Sequence, residues 1–205
     1  MTEKEKMISG LIYDTSDEEL DKARIRAQKL CNKFNRLAEG SKRRAKILDE
    51  LIPDNNGALL RGPIFLDYGF NTSFGKTCFA NFNFAVMDCA KVTIGDNVFF
   101  GPNVTIATPM HSLLFSERNM FINEKGAIAD FEYAKPITIE SDCWIAANVV
   151  ICGGVTIGRG SVIGAGSVVT KDIPEGVLAV GNPCKVVRKL TERDSMYLKK
   201  ELLTK

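Results

Sequence analysis

The sequence predicts a mainly β fold, a parallel β-helix in which short strands wind around a triangular prism. Three observations carry that expectation. Ile137, Cys143, Val149, Val155, Ser161, Ser167 and Ile173 recur every six residues. A second register two positions further on holds Ile139, Ile145, Ile151, Ile157, Ile163 and Val169. Between the pairs lie turn-formers such as Gly153-Gly154, Gly158-Arg159-Gly160 and Gly164-Ala165-Gly166. A strand with two apolar side chains cannot bury them alone, but it can when successive coils stack. Three six-residue sides then make one coil, the i and i+2 aliphatics fill the interior, and Gly or Asn at the corners accepts positive φ without a Cβ clash. The spacing itself is silent on handedness.

Residues 1–57 read as an N-terminal helical segment. Ser16-Asp17-Glu18-Glu19 has the form of a capping box, and Leu20, Ala23, Ala27, Leu30, Cys31 and Phe34 follow at helical spacing. A second helix is expected from about Lys42 to Ile52, stopped by Pro53-Asp54-Asn55-Asn56-Gly57. Residues 58–188 read as the β-helix, with the same grammar upstream in Val92-Thr93-Ile94-Gly95-Asp96-Asn97 and Val98-Phe99-Phe100-Gly101-Pro102-Asn103. Met110 and Ile137 are 27 residues apart, which is not a multiple of six, so residues 112–135 must leave the prism as a protruding loop. A loop of that length in a compact domain is usually functional. Residues 189–205 read as a C-terminal helical tail, with a closing helix from Leu190 to Leu203, because open prism ends need cover.

Composition excludes several functions. With 205 residues, 45% apolar and 25% charged, the chain is neither disordered nor collagen-like. The 27 Lys and Arg against 25 Asp and Glu leave no basic field for nucleic acid or an anionic membrane. No stretch approaches the ~20 apolar residues of a membrane span, and a cytoplasmic location is expected. The six cysteines form no C-x-x-C pair and read as small buried hydrophobes, with Cys143 and Cys152 facing the prism interior. A single histidine, His111, excludes sites that need several imidazoles from one chain, a metal-dependent hydrase among them, and no metal is expected.

Together with the hexapeptide array, Asp67-Tyr68-Gly69, Ala80-Asn81-Phe82-Asn83, Lys135-Pro136-Ile137-Thr138-Ile139, Trp144-Ile145 and Gly181-Asn182-Pro183-Cys184-Lys185-Val186-Val187-Arg188 resemble the maltose and galactoside O-acetyltransferases of the hexapeptide-repeat family. The resemblance runs from about Lys6-Met7 to Arg188. It implies a left-handed parallel β-helix, an exception to the right-handed crossover rule. It also implies a homotrimer with sites between prisms, and acetyl-CoA as co-substrate.

The same resemblance makes His111, at the root of the loop, the catalytic base. The chemistry suits an imidazole, whose ordinary pKa of ~6.5 leaves it largely neutral at pH 7 and able to take a hydroxyl proton. Asp14, Arg24, Asp67, Asn81 and Glu132 are the implied acceptor-binding residues. Ala147, Ala165, Thr170, Lys171, Lys185 and Arg188 are the implied cofactor-binding residues, the alanines toward the pantetheine arm and the basic groups toward the phosphates. Trp144 is expected either to wall the cleft or to pack as a lone core tryptophan.

The chain also departs from the family pattern. Phe79 stands where galactoside enzymes have tyrosine, Cys89 where they have aspartate beside Asp88, Ser112 where proline commonly follows the histidine, and Ala147 where they carry serine. Two sugar contacts are thereby lost, and any oxyanion stabilisation at Ala147 falls to backbone N–H groups. The apolar loop favours, as the alternative acceptor, a hydroxylated antibiotic. A non-catalytic β-helix binding module is the alternative from another class.

Overall fold

The computed structural model describes residues 1–199 and 202. Three parallel sheets form a prism, as the six-residue period requires. Face one stacks Leu59–Leu60, Phe79–Ala80, Phe99–Phe100, Trp144–Ile145, Val162–Ile163 and Val177–Val180. Face two stacks Ile64–Leu66, Phe84–Met87, Thr105–Ala107, Val150–Cys152 and Val168–Val169. Face three stacks Thr72–Phe74, Val92–Ile94, Ile137–Ile139 and Thr156–Ile157, extended by an Ile157–Ile173 bridge.

Both hexapeptide registers point inward. Every member of the second is fully buried, and the aliphatics of the first are buried too. Ser161 and Ser167 occupy two interior positions of the first register at little cost, because each hydroxyl is paired. Ser161 Oγ donates to Pro174 O at 2.7 Å and accepts from Val177 N, while Ser167 Oγ donates to Gly164 O at 2.6 Å and accepts from Gly181 N. At the corners Asn83, Asn97, Asn103 and Asn148 take φ of 56–59°. Stacked asparagines bond to one another along one edge, Asn83 to Asn103 at 2.8 Å and Asn103 to Asn148 at 3.0 Å.

Cys152 corrects an expectation. It follows the inward Ile151, so the two-residue alternation of the strand turns it outward, half-buried, and Cys184 is half-buried too. The other four cysteines are buried.

The N-terminal segment holds three helices. Helix α1 (Glu3–Ile8) escaped the periodicity but has its own capping box, Thr2 with Glu5. Helix α2 (Glu18–Asn35) begins at Asp17 rather than Ser16, because the Asp17 carboxylate accepts from Glu19 N and Leu20 N while Ser16 is held by Asp14. Helix α3 (Lys42–Leu51) lays Ile47, Leu48 and Leu51 against the first coil and continues its core. Arg44 is buried there, stacked on Phe34, and its guanidinium donates to the carbonyls of Leu60 and Arg61. It thereby satisfies acceptors that the open end of the prism would leave unpaired.

At the other end the described residues do not form the expected closing helix. Lys185–Lys189 runs back antiparallel along Val177–Val180 and covers the last coil, followed by two 3₁₀ turns, Glu192–Asp194 and Met196–Leu198. Residues 200, 201 and 203 of that expected helix lie outside the described residues. Met196, Tyr197 and Leu198 are exposed, so the apolar pattern has no surface to bury itself against, and a short helix does not form without one.

Residues 112–135 leave the prism as expected, and the core keeps its register. Ile106 stacks on Ile151 and Ile137 on Val92, so the chain exits after face two and re-enters on face three in phase. The excursion is itself structured. Phe131–Ala134 pairs antiparallel with Pro109–Met110 on one side and with Tyr13–Asp14 on the other. Helix α4 (Phe115–Arg118) and a hairpin of Phe121–Ile122 with Ile128–Ala129 complete it. Among the described residues no helix is long and apolar enough to cross a membrane.

Candidate active site

The small sheet at the root of the excursion builds the site. Tyr13 lies opposite Glu132, and His111 stands one step beyond the paired Met110 and Tyr133, which brings it across from Glu132 on the other side. Directly opposed residues of an antiparallel sheet share a face, so the three side chains form one row. Tyr13 is buried, and its hydroxyl donates to Glu132 Oε2 at 2.7 Å. Glu132 Oε1 lies 3.2 Å from His111 Nε2. Asp130, two residues earlier on the same face, brings Oδ2 to 3.7 Å from His111 Nδ1 and accepts a hydrogen bond from the Thr15 hydroxyl. Two half-buried carboxylates thus flank one exposed imidazole.

The wall behind this row carries polar groups, several of them buried. Burial pushes the Asp67 carboxyl up, partly offset by Arg24, and Glu132 adds to the rise. Burial raises Asp88 to about 7 even though it accepts from Tyr68 N at 2.8 Å and from the Thr72 hydroxyl at 3.0 Å. Burial also pushes the Cys89 thiol to about 12, so it is an inert thiol and no nucleophile. Arg24 pairs with Asp21 on its own helix and donates to the Tyr68 hydroxyl at 3.4 Å. Asp14 is raised by burial, but hydrogen bonds from Ser16 and Asn123 win and hold its carboxyl below the usual range. Its Oδ1 accepts both Ser16 N and Ser16 Oγ, which commits that oxygen to the turn entering α2.

Of the residues expected in the site, Asp14, Arg24, Asp67, His111 and Glu132 gather around the edge between faces two and three. Asn81 does not join them. It sits at the corner between faces one and two, where its Oδ1 accepts from Phe82 N at 2.9 Å. Ala147 and Ala165 share the edge with Asn81 on successive coils, joined by the Gly166 N to Ala147 O bond of 2.9 Å. Thr170 and Lys171 are exposed after the last strand of face two. Lys185 and Arg188 are exposed on the reversed strand of face one. Arg188 already makes two bonds to Asp194, at 2.8 and 2.6 Å, so its charge is partly spent within the chain. Trp144 projects outward from face one and is not packed as a core residue.

Tyr13 and Asp130 are site residues that the sequence reading did not find. The alternation Asp130-x-Glu132 was the available signal for Asp130, whereas Tyr13 depends on a strand pairing more than a hundred positions away. Donor atoms of His111, Asp130 and Glu132 lie within 4.8 Å of one another, one imidazole and two carboxylates of the kind that divalent cations accept. Carboxylate clusters of this sort are common without an ion.

A three-faced parallel β-helix of six-residue sides, interrupted by an excursion at one edge, is the architecture of the hexapeptide-repeat proteins. The comparisons agree with the fold and narrow the class. Residues 6–54 match the maltose acetyltransferase hexapeptide capping motif, and residues 136–171 match the bacterial transferase hexapeptide, six repeats. The galactoside O-acetyltransferase of Escherichia coli K12 is 38% identical over 202 residues, spanning 96% of this chain and 94% of that protein. The crystal structure of a maltose O-acetyltransferase from Clostridium difficile 630 superposes with a TM-score of 0.84 at 42% identity, covering 94% of this chain and 99% of that one. A hexapeptide-repeat acetyltransferase from Vibrio cholerae, solved with acetyl coenzyme A, superposes at 0.82 with 34% identity, covering 94% of this chain and all of that one. The chain belongs to the maltose and galactoside O-acetyltransferase family, and is an acetyltransferase.

Proposed function

We propose that this protein transfers acetyl from acetyl-CoA to a hydroxyl of a sugar or sugar-like acceptor, with His111 as general base. The observation that carries this reading is the row Tyr13, Glu132, His111, with Asp130 on the imidazole's other side. His111 takes the hydroxyl proton as the oxygen attacks the thioester carbonyl. The resulting imidazolium lies between two carboxylates that stabilise it, and it returns the proton to the departing thiolate. No acyl-enzyme is required, in keeping with the buried thiols at Cys31, Cys78, Cys89 and Cys143.

The partition of the residues between two edges supports a shared site. Asn81, Ala147 and Ala165 on one edge complete a cleft only if they face the His111 edge of a neighbouring copy, and face one carries an exposed apolar stripe, Leu59, Phe99 and Trp144, suited to such packing. A homotrimer with three inter-chain sites satisfies both. The alanine edge, open to backbone contact, and the exposed Lys171 and Lys185 fit a pantetheine arm ending in phosphates. Cytoplasmic residence, where acetyl-CoA is available, belongs to the same reading.

The test is release of free thiol from acetyl-CoA across a panel of hydroxylated acceptors, with sedimentation on the same sample. Acceptor-dependent release from a trimer is expected. A monomer, or release that no acceptor stimulates, overturns the reading.

A further inference from the structure

Between the start of α3 and the first coil, at the N-terminal end of the prism, lies a cavity of about 530 Å³ that shares no residue with the His111 edge. Its size is that of a small-ligand pocket, for which ~300–1,000 Å³ is usual. Arg44 lines it as a cation that the chain leaves unanswered. The side chain is only 7% exposed and lies 4.1 Å from the centroid of the Phe34 ring. Nη2 donates to the carbonyls of Leu60 and Arg61, but Nε has no partner, and Nη1 donates to no group among the described residues. Burial disfavours the guanidinium charge. Glu39, the acid that offsets part of this, pairs instead with Arg61 at 3.4 Å. A buried charge left without a counterion is costly, and an anion in the cavity would supply the missing partner.

The start of α3 points to the same chemistry, because Ser41 and Lys42 line the cavity as well. A helix start leaves N–H groups unpaired and carries a partial positive charge. Here Ser41 makes no side-chain cap, the first turn holds no acid, and the N–H groups of Lys42 and Arg43 donate to no group among the described residues. That turn is Lys42-Arg43-Arg44, three cations where the dipole favours anions. Asp49, the other acid of the wall, is engaged by Asn55 Nδ2 at 2.9 Å. Phe34, Leu48, Leu60 and Phe79 make the remaining wall apolar.

We propose that this cavity binds a small organic oxyanion, a phosphate or carboxylate on an apolar body, with the head group held by Arg44, Lys42 and the first amides of α3. The proposal is independent of the acetyl transfer at His111, with which it shares no residue. Calorimetric titration of the full chain with phenyl phosphate, benzoate and inorganic phosphate tests it, in a buffer free of other oxyanions and with CoA saturating, so that the contacts CoA makes are already filled. Phenyl phosphate or benzoate should bind once per chain and at least ~10-fold more tightly than inorganic phosphate, because the ring buries against the apolar wall. The tighter of the two names the head group.

Lys42→Glu should weaken that binding at least ~10-fold while the protein stays folded, since Lys42 is exposed and an acid suits the first turn of a helix. Lys46→Glu, exposed on the same helix and outside the cavity wall, should leave the affinity within twofold. Arg44→Met should abolish binding, and if that variant fails to fold, Lys42→Glu decides. No saturable binding by either aromatic probe, equal affinity for inorganic phosphate, or an affinity that Lys42→Glu leaves within twofold overturns the proposal. So does binding seen only when CoA is left out, which assigns the anion to the CoA contacts.

Discussion

Replacing Glu132 by glutamine isolates the electrostatic part of the proposed mechanism. The amide keeps the shape and retains an oxygen for the Tyr13 hydroxyl, which now bonds Glu132 at 2.7 Å, so the strand pairing survives. It removes a full negative charge 3.2 Å from His111 Nε2. At that distance Coulomb's law gives ~5 kcal/mol at an effective dielectric of 20 and ~1.3 kcal/mol in water. The His111 side chain is 41% exposed and that of Glu132 18%, which places the pair between these limits and toward the lower one. A loss of ~1–3 kcal/mol in the transition state is expected, or roughly 5- to 150-fold in kcat. The assay is thiol release at saturating acetyl-CoA and acceptor, with both KM values measured. A kcat within twofold of the parent refutes the reasoning. A loss confined to the acceptor KM refutes it as well, and assigns Glu132 to acceptor binding alone.

Three further outcomes follow from the geometry. Asp88 is buried with a value raised to about 7, so the native state keeps its proton over a range where the unfolded chain, near ~3.9, has lost it. Its contribution to stability is therefore complete below about pH 4 and declines as pH rises toward 7, at up to ~1.4 kcal/mol per pH unit, and chemical denaturation of Asp88→Asn should lack that slope. Gly101→Ala places a Cβ 2.6 Å from the Ala147 backbone nitrogen, where no flexible side chain can yield. That substitution should lower Tm and weaken CoA binding in calorimetry, because it displaces the edge carrying Ala147. Lys171→Ala and Lys185→Ala should each raise the KM for acetyl-CoA by roughly 3- to 10-fold with kcat unchanged, and flatten its salt dependence.

The prism was legible because each of its interior positions repeats a local rule. Six-residue spacing, two aliphatics and a left-handed corner recur often enough that the phase break between Met110 and Ile137 located the excursion. The ends were harder. Leu190 to Leu203 has a helical pattern, but an amphipathic stretch becomes a helix only where a surface accepts its apolar side, and the reversed strand Lys185–Lys189 already covers the last coil. Helix α1 was hidden because its six residues are too few for periodicity, leaving only the Thr2 and Glu5 cap to mark it. In the site, His111 was marked by the family resemblance, which puts the base at the root of the loop where the phase breaks. The Tyr13 partner of Glu132 was not, because it is set by antiparallel pairing across more than a hundred residues, and no local pattern specifies such register.

The central claim is that His111 is the base of an acetyl transfer, and His111→Ala tests it most directly when turnover and binding are measured together. Thiol release with an accepted hydroxyl compound should fall by about 10²- to 10⁴-fold, the usual contribution of a positioned base. The calorimetric affinity for CoA should stay unchanged. Undiminished acceptor-dependent release by the alanine variant would contradict the account.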